Sequence, residues 1–348
     1  MSRLVGVLVL TSLLAAPVFG QTEQRSVKGS HVAVYNLAGR LRAVAGTGDA
    51  VVVEITRGGA DASKLRVETG TIRGRETLRI VYPADQIVYP TNYRSRTTIR
   101  VRDDGTFSEG NWNEGWDRDR VEIRSSGSGL EAHADLVVRI PKGQKVDLFL
   151  AVGRAEIANV EGDLLVDVSS AEVEVAGLKG NLTLDTGSGR VAVRDVTGDL
   201  NIDTGSGGIS LERIKGTLLA LDSGSGGVEA TDVDVKEFKA DIGSGGLRMH
   251  RMRAPLVDVE TGSGGATLEL LSEVERVSVE TGSGGVTIRA PATLSAQVEV
   301  ETGSGGFQTD FEILTRNVGR NHVSGRIGEG KGRVSVEAGS GTVRLLKN

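Results

Sequence analysis

The phrase Gly-Ser-Gly returns along this chain with its serine at Ser188, Ser206, Ser225, Ser244, Ser263, Ser283, Ser304 and Ser340, and no other feature restricts the fold as tightly. The intervals are 18, 19, 19, 19, 20, 21 and then 36 residues. A period of about 20 residues marks a solenoid, in which one supersecondary unit stacks on the next. Six and four residues before each serine the chain is apolar: Leu182 and Leu184, Leu200 and Ile202, Val257 and Val259, Val277 and Val279, Val298 and Val300, Val334 and Val336. Three and five residues after it the pattern resumes, as at Val191 and Val193, Ile209 and Leu211, Leu247 and Met249, Val286 and Ile288. Period-2 runs on either side of a glycine-rich corner read as half-buried strands around a tight turn. The glycines admit positive φ there at little steric cost.

Two strands in about 20 residues leave no room for crossover helices. The chain either winds as a β-helix or runs as a meander of hairpins, and the constant inward pattern favours winding. Some nine coils at about 4.8 Å per layer make a rod about 40 Å long. A blurred earlier copy runs from Leu164, Val166 and Val168 through Ser169, Ser170 and Ala171 to Val173 and Val175. Its corner lacks glycine, which predicts a wider turn. The expectation is an all-β, single-stranded solenoid of ~20-residue coils.

Residues 1–20 read as a secretory signal peptide: Arg3, an apolar run from Leu4 to Leu14, then small residues up to Gly20. The run is short for a membrane anchor, and no later stretch approaches a membrane span. The mature product is therefore expected to be exported, to the periplasm or to the cell surface. No cysteine is present, which excludes disulfides and lipid attachment through a cysteine. Residues 21–82 read as a β-rich N-terminal cap. Residues 83–132 read as a polar and aromatic insertion, a hairpin of Thr98–Arg102 with Val121–Arg124 that carries a long tip. Residues 133–348 read as the coils proper, and the copy at Arg333–Lys347 reads as the closing one, with Lys347 blunting the exposed edge.

Net charge is −5, with charges of both signs interspersed, so electrostatics make no case for nucleic acid or an anionic membrane. The insertion holds Trp112, Trp116, Tyr89 and Tyr93, candidates for stacking on a sugar or anchoring a partner. The plainer alternative is that these aromatics pack on the flank of the rod. The acidic residues there lack EF-hand spacing. The partner expected is an envelope protein or a glycan, and its identity is not legible.

Three residues before the serines stands an acid in every copy: Asp167, Asp185, Asp203, Asp222, Asp241, Glu260, Glu280, Glu301 and Glu337. Stacked coils turn these into one outward column. Unit charges about 5 Å apart repel by about 0.8 kcal/mol even in water. Three things could offset this: each carboxylate capping the amides of its own glycine corner, basic neighbours such as Arg190, Arg194 and Lys239, or a row of divalent cations. The calcium-binding nonapeptide is not in phase.

Catalytic readings are weaker. The repeated serines lack the nucleophile elbow, and repetition marks a turn. His31, His133, His250 and His322 show no metal-ligand spacing. The Gly-x-Gly strings precede strands where a dinucleotide site needs a helix. No cofactor is implied, and no metal ligand set is assigned.

The run of Gly-x-Leu/Val-x-Val units ending in Gly-Ser-Gly-Gly, together with the ending from Gly325 to Val343, resembles the bacterial putative-adhesin family, also called toastrack. The likeness covers about residues 31–82 and 133–348. It implies a right-handed β-helix-like fold in an exported envelope or surface protein, with members associated with envelope stress sensing or adhesion, and it transfers no catalytic residue. Two functions follow. One is a non-enzymatic scaffold or adhesin. The other is a carbohydrate-active β-helix, binding or cleaving polysaccharide, which would need clustered Asp, Lys and Arg in an aromatic-lined groove.

Overall fold

The computed structural model describes residues 22–91, 95–108 and 118–348. The segment expected to be a leader, residues 1–20, lies outside the described residues. Among those described, strands are by far the commonest element, and the one helical element is a 3-10 turn at Ala62–Lys64.

The repeats wind rather than meander, because equivalent strands of successive coils pair in parallel. Leu164 lies beside Leu182, Leu182 beside Leu200, Leu200 beside Leu219, Leu219 beside Phe238, Phe238 beside Val257, and Val257 beside Val277. Because side chains alternate across a strand, a fixed register keeps every inward position inward along the whole rod. The two apolar columns of this first strand are at most 5% exposed. The corner at Ser169–Ala171 is not widened: Gly162–Lys179 runs through it, and Ser170 pairs with Ser188. That interval is the same 18 residues as the next one, so no extra residue is available to widen the turn.

In the later coils the polar contacts of the corners come from the residue two before the serine, not three, whereas the buried Thr186 and Thr204 hydroxyls at the same position make none among the described residues. Ser223 Oγ donates to the Gly226 carbonyl at 3.0 Å and accepts from the Gly226 amide at 3.2 Å. Thr261 Oγ1 donates to the Gly264 carbonyl at 2.7 Å, and the Gly284 amide donates to Thr281 Oγ1 at 3.0 Å. A second kind of corner falls seven residues after the serines, at Asp195, Arg213, Asp232 and Arg251, all near φ +55° to +59°. Non-glycine residues held there cost about 1–3 kcal/mol each. They stack with alternating charge: Arg213 Nε lies 2.6 Å from Asp195, and Arg251 Nε lies 2.7 Å from Asp232. Buried Val196, Ile214, Val233 and Met252 follow each of them and anchor the bend.

The last copy in the sequence is not the last in space. Gly332–Ala338 lies between Arg276–Thr281 and Ala296–Thr302, and Val343–Lys347 lies between Val286–Ala290 and Phe307–Thr309. Lys347 therefore blunts no edge, since its strand is paired on both sides. The physical reason is apolar content. The inserted copy buries Val334, Val336, Val343 and Leu345, whereas Phe307 in the displaced copy is only half-buried. The exposed edge of Ala296–Thr302 is covered instead by antiparallel His322–Ile327, with Leu314–Val318 outermost.

At the other end, His31–Ala45 pairs in parallel with Gln144–Ala158, so the chain on either side of residues 83–132 joins one stack. Between them Arg96–Arg102 and Arg118–Arg124 form an antiparallel hairpin, and Gln86–Val88 adds a parallel third strand, in a sheet of their own. This small sheet roofs the outer flank of the first coils. Phe107 meets Tyr35 edge-on at 5.7 Å and Phe149 at 6.2 Å, and the latter two rings stack at 4.3 Å.

Candidate interaction face

The outer flank changes character where that roof ends. Tyr35 pairs with Phe149, Phe149 with Asp167, and Asp167 with Asp185, so one column passes from buried aromatics to acids. It continues through Asp203, Asp222, Asp241, Glu260 and Glu280 to Glu337 and then Glu301. From Asp185 to Glu301 every one of these side chains is exposed. Shallow clefts follow the column, one lined by Asp222, Lys239, Asp241 and Glu260, another by Glu260, Glu280 and Glu337.

Neither intramolecular offset expected for this column is present from Asp185 to Glu337: among the described residues, none of these acids makes a hydrogen bond or an ion pair. Arg194 is occupied with Glu174 at 2.9 Å, and Lys239 with Glu237 at 2.9 Å. The carboxyl of Asp185 is pushed up by partial burial and then by the charge of Asp203. That of Asp222 is pushed up by burial and by Asp203 and Asp241 on either side. Acids elsewhere move the other way: Arg194 holds Glu174 down, and Arg213 holds Asp195 down.

A test follows from that sign. A raised folded pKa means that the folded state holds the proton more tightly than the unfolded chain. This group's contribution to stability is full below the ordinary carboxylate value near 4 and is lost as pH rises past the raised folded value. Asp222→Asn should therefore melt above the parent at neutral pH, and the gap should close on acidification. A variant that melts below the parent at neutral pH, with that deficit shrinking on acidification, would mean that Asp222 is held by an attractive partner.

Of the aromatic candidates, Tyr89 is half-buried, with its ring 5.3 Å from that of His133, and it packs on the body. Tyr93, Trp112 and Trp116 lie outside the described residues. His322 is brought beside Glu301 by direct antiparallel pairing, Nδ1 to Oε1 at 3.2 Å. With Glu299 these groups offer three ligand atoms within 4.8 Å of one another, on an exposed surface. Sequence spacing could not find this group, because it depends on a hairpin folding back. His31 Nε2 lies 2.7 Å from Asp147 Oδ2, but Arg75 Nη1 shares that oxygen at 2.7 Å. No hydroxyl hydrogen-bonds to His31 among the described residues, so the constellation is an ion-pair network and not a nucleophile relay. The corner serines line up one per coil along the rod, and Ser244 and Ser225 reach only the backbone of the coil below. None of the described helices is long and apolar enough to cross a membrane.

Comparison with known proteins places these features. The family model described as Toastrack DUF4097 matches residues 115–346. The chain is structurally similar to a putative cell adhesion protein from Clostridium sporogenes ATCC 15579, at 12% identity, with 94% of this chain and 100% of that one covered and a TM-score of 0.19. It is also similar to a putative adhesin from Parabacteroides distasonis ATCC 8503, at 12% identity, with 94% and 97% covered and a TM-score of 0.37. Likeness at that level carries no argument about function. Comparison with curated proteins finds no match.

Proposed function

The chain belongs to the Toastrack DUF4097 family, and from that premise we propose that it is an exported, non-enzymatic module of the cell envelope or surface, adhesin-like or scaffolding in kind, that holds a partner along its acidic flank. A role in envelope stress sensing belongs to the same reading. The observation that carries it is a contrast between two columns under one stacking rule. At the second corner the charges alternate and pair, as Asp195 with Arg213 and Asp232 with Arg251. At the flank they are all of one sign and, among the described residues, unpaired from Asp185 to Glu337. Stacking thus does not impose an uncompensated column, and a partner bearing amines or guanidinium groups would relieve it. The partner is an envelope protein or a glycan of that chemistry. A second contact is proposed for the insertion, through Trp112, Trp116, Tyr89 and Tyr93.

Immobilised protein carrying Asp203→Asn, Asp222→Asn and Asp241→Asn should lose partners that the parent captures from envelope extracts. The parent itself should release them at about 0.5 M salt, where the screening length falls to a few ångströms. Capture indifferent to both changes would end the reading. Trp112→Ala with Trp116→Ala should weaken capture without lowering the melting temperature if the insertion takes part.

A further inference from the structure

Two connections between coils have the same length and do different work. Residues 271–275 join Ala266–Leu270 to Arg276–Thr281, and residues 291–295 join Val286–Ala290 to Ala296–Thr302. The first climbs one rung, since Val277 lies beside Val257. The second climbs two, because Gly332–Ala338 occupies the rung between. The serine intervals across the two steps are nearly equal, 20 and 21 residues. The chain is thus cut for a single step where it makes a double one.

The surfaces that the inserted strand separates also fit each other. Val277, Val279, Glu280 and Thr281 stand on one side, and Val298, Val300, Glu301 and Thr302 stand at the same heights on the other. Between them the insert supplies Val334, Val336, Glu337 and Ala338. Among the strands that follow the glycine corners, closing the gap would set Phe307 against Val286 and Thr309 against Ile288, where Val343 and Leu345 now lie. The insert is therefore favoured by burying Val334, Val336, Val343 and Leu345, the last of which stands where a threonine would otherwise be. It enters through a four-residue turn, 328–331, that straddles the start of Ala296–Thr302. There Ser295 Oγ accepts from the Glu329 amide at 3.1 Å and the Lys331 amide at 3.3 Å. Gly328 and Gly330 both have positive φ in that turn.

We propose that the C-terminal coil, residues 332–347, is a removable rung. The chain has a second arrangement in which coil 296–309 stacks directly on coil 276–290, and 332–347 stands out of the stack. In that state Glu337 leaves the acidic column. The released segment offers unpaired strand edges of the kind that add to another sheet.

The natural chain has no cysteine, so introduced pairs report without background. Ser278, Ser335 and Glu299 hold equivalent outward positions on three successive rungs. Positions 278 and 299 stand two rungs apart, about 9.6 Å, which exceeds the roughly 7 Å that a disulfide spans between Cα atoms. Full-length protein with Ser278→Cys and Glu299→Cys, under mild oxidation, should form an intrachain disulfide at least about tenfold faster than a regular two-rung pair. That control is Ala220→Cys with Asp258→Cys, which have Lys239 between them. Ser278→Cys with Ser335→Cys reports the inserted state. Equal, slow oxidation of the 278/299 and 220/258 pairs, with full oxidation of 278/335, would overturn the proposal. Hydrogen exchange on the unaltered chain decides independently. Amides of 334–345 should exchange faster than those of 257–268, and equal protection would count against a removable rung.

Discussion

Gly207→Ala should cost about 4 kcal/mol and lower the melting temperature by many degrees, whereas Gly208→Ala, one residue on, should leave stability unchanged or raise it by about 0.5 kcal/mol. A Cβ on Gly207 would lie 1.9 Å from the carbonyl oxygen of Gly189 in the coil below, at a φ of +139° that side chains avoid. The coil cannot move aside, because the same contact recurs above: a Cβ on Gly226 would lie 1.6 Å from the Gly207 carbonyl. At Gly208 the nearest atom is 3.8 Å away, and there alanine only reduces the freedom of the unfolded chain. Chemical denaturation of both variants, read by far-UV circular dichroism, checks the pair. Equal midpoints would show that the corners do not stack as tightly as these contacts require.

That contrast explains the repeated phrase. The glycine after each serine is fixed by backbone lying against backbone from one coil to the next. Gly245, Gly264 and Gly284 face carbonyl oxygens at 1.9, 1.7 and 2.1 Å by the same measure. The serine itself only needs to be small and tolerant of water. The residue two before it closes the corner, as Ser223 and Thr261 do. Its small size was legible in the sequence, but its part in the turn was not, because an acid one position earlier carries the same hydrogen-bonding capacity on paper.

What could be read from the sequence was whatever repeats in phase. Parallel stacking sets like above like, so one coil's alternation of Leu200, Asn201, Ile202 and Asp203 predicts the inside and outside of every coil. Features that depend on leaving the phase stayed hidden. The interval of 36 residues before Ser340 is the same whether the last coil sits on top or slides beneath its predecessor. The corner at Asp195 and Arg213 carries no glycine to betray its positive φ. His322 meets Glu301 only because a hairpin reverses direction. At the acidic flank, position and orientation were legible, whereas the lack of a partner among the described residues from Asp185 to Glu337 required knowing where Arg194 and Lys239 point.

The roofed end of the rod yields the other large effect. Asp147 is only 4% exposed through its side chain, and one of its oxygens takes both Arg75 Nη1 and His31 Nε2 at 2.7 Å. Arg75 also donates from Nη2 to the buried Tyr35 hydroxyl at 3.1 Å and lies 5.9 Å from the centre of the Phe149 ring. Asp147→Ala should cost about 3–5 kcal/mol, because a guanidinium only 12% exposed keeps its desolvation while losing the charge that offset it. Replacing both partners, as Asp147→Leu with Arg75→Met, should recover most of that loss, since matched apolar side chains carry no charge to desolvate. Denaturation midpoints of the single and double variants form the test. A double variant no more stable than Asp147→Ala would show that the pair is held for its geometry, with Arg75 positioning Tyr35 beneath Phe107 and not merely neutralising a buried acid.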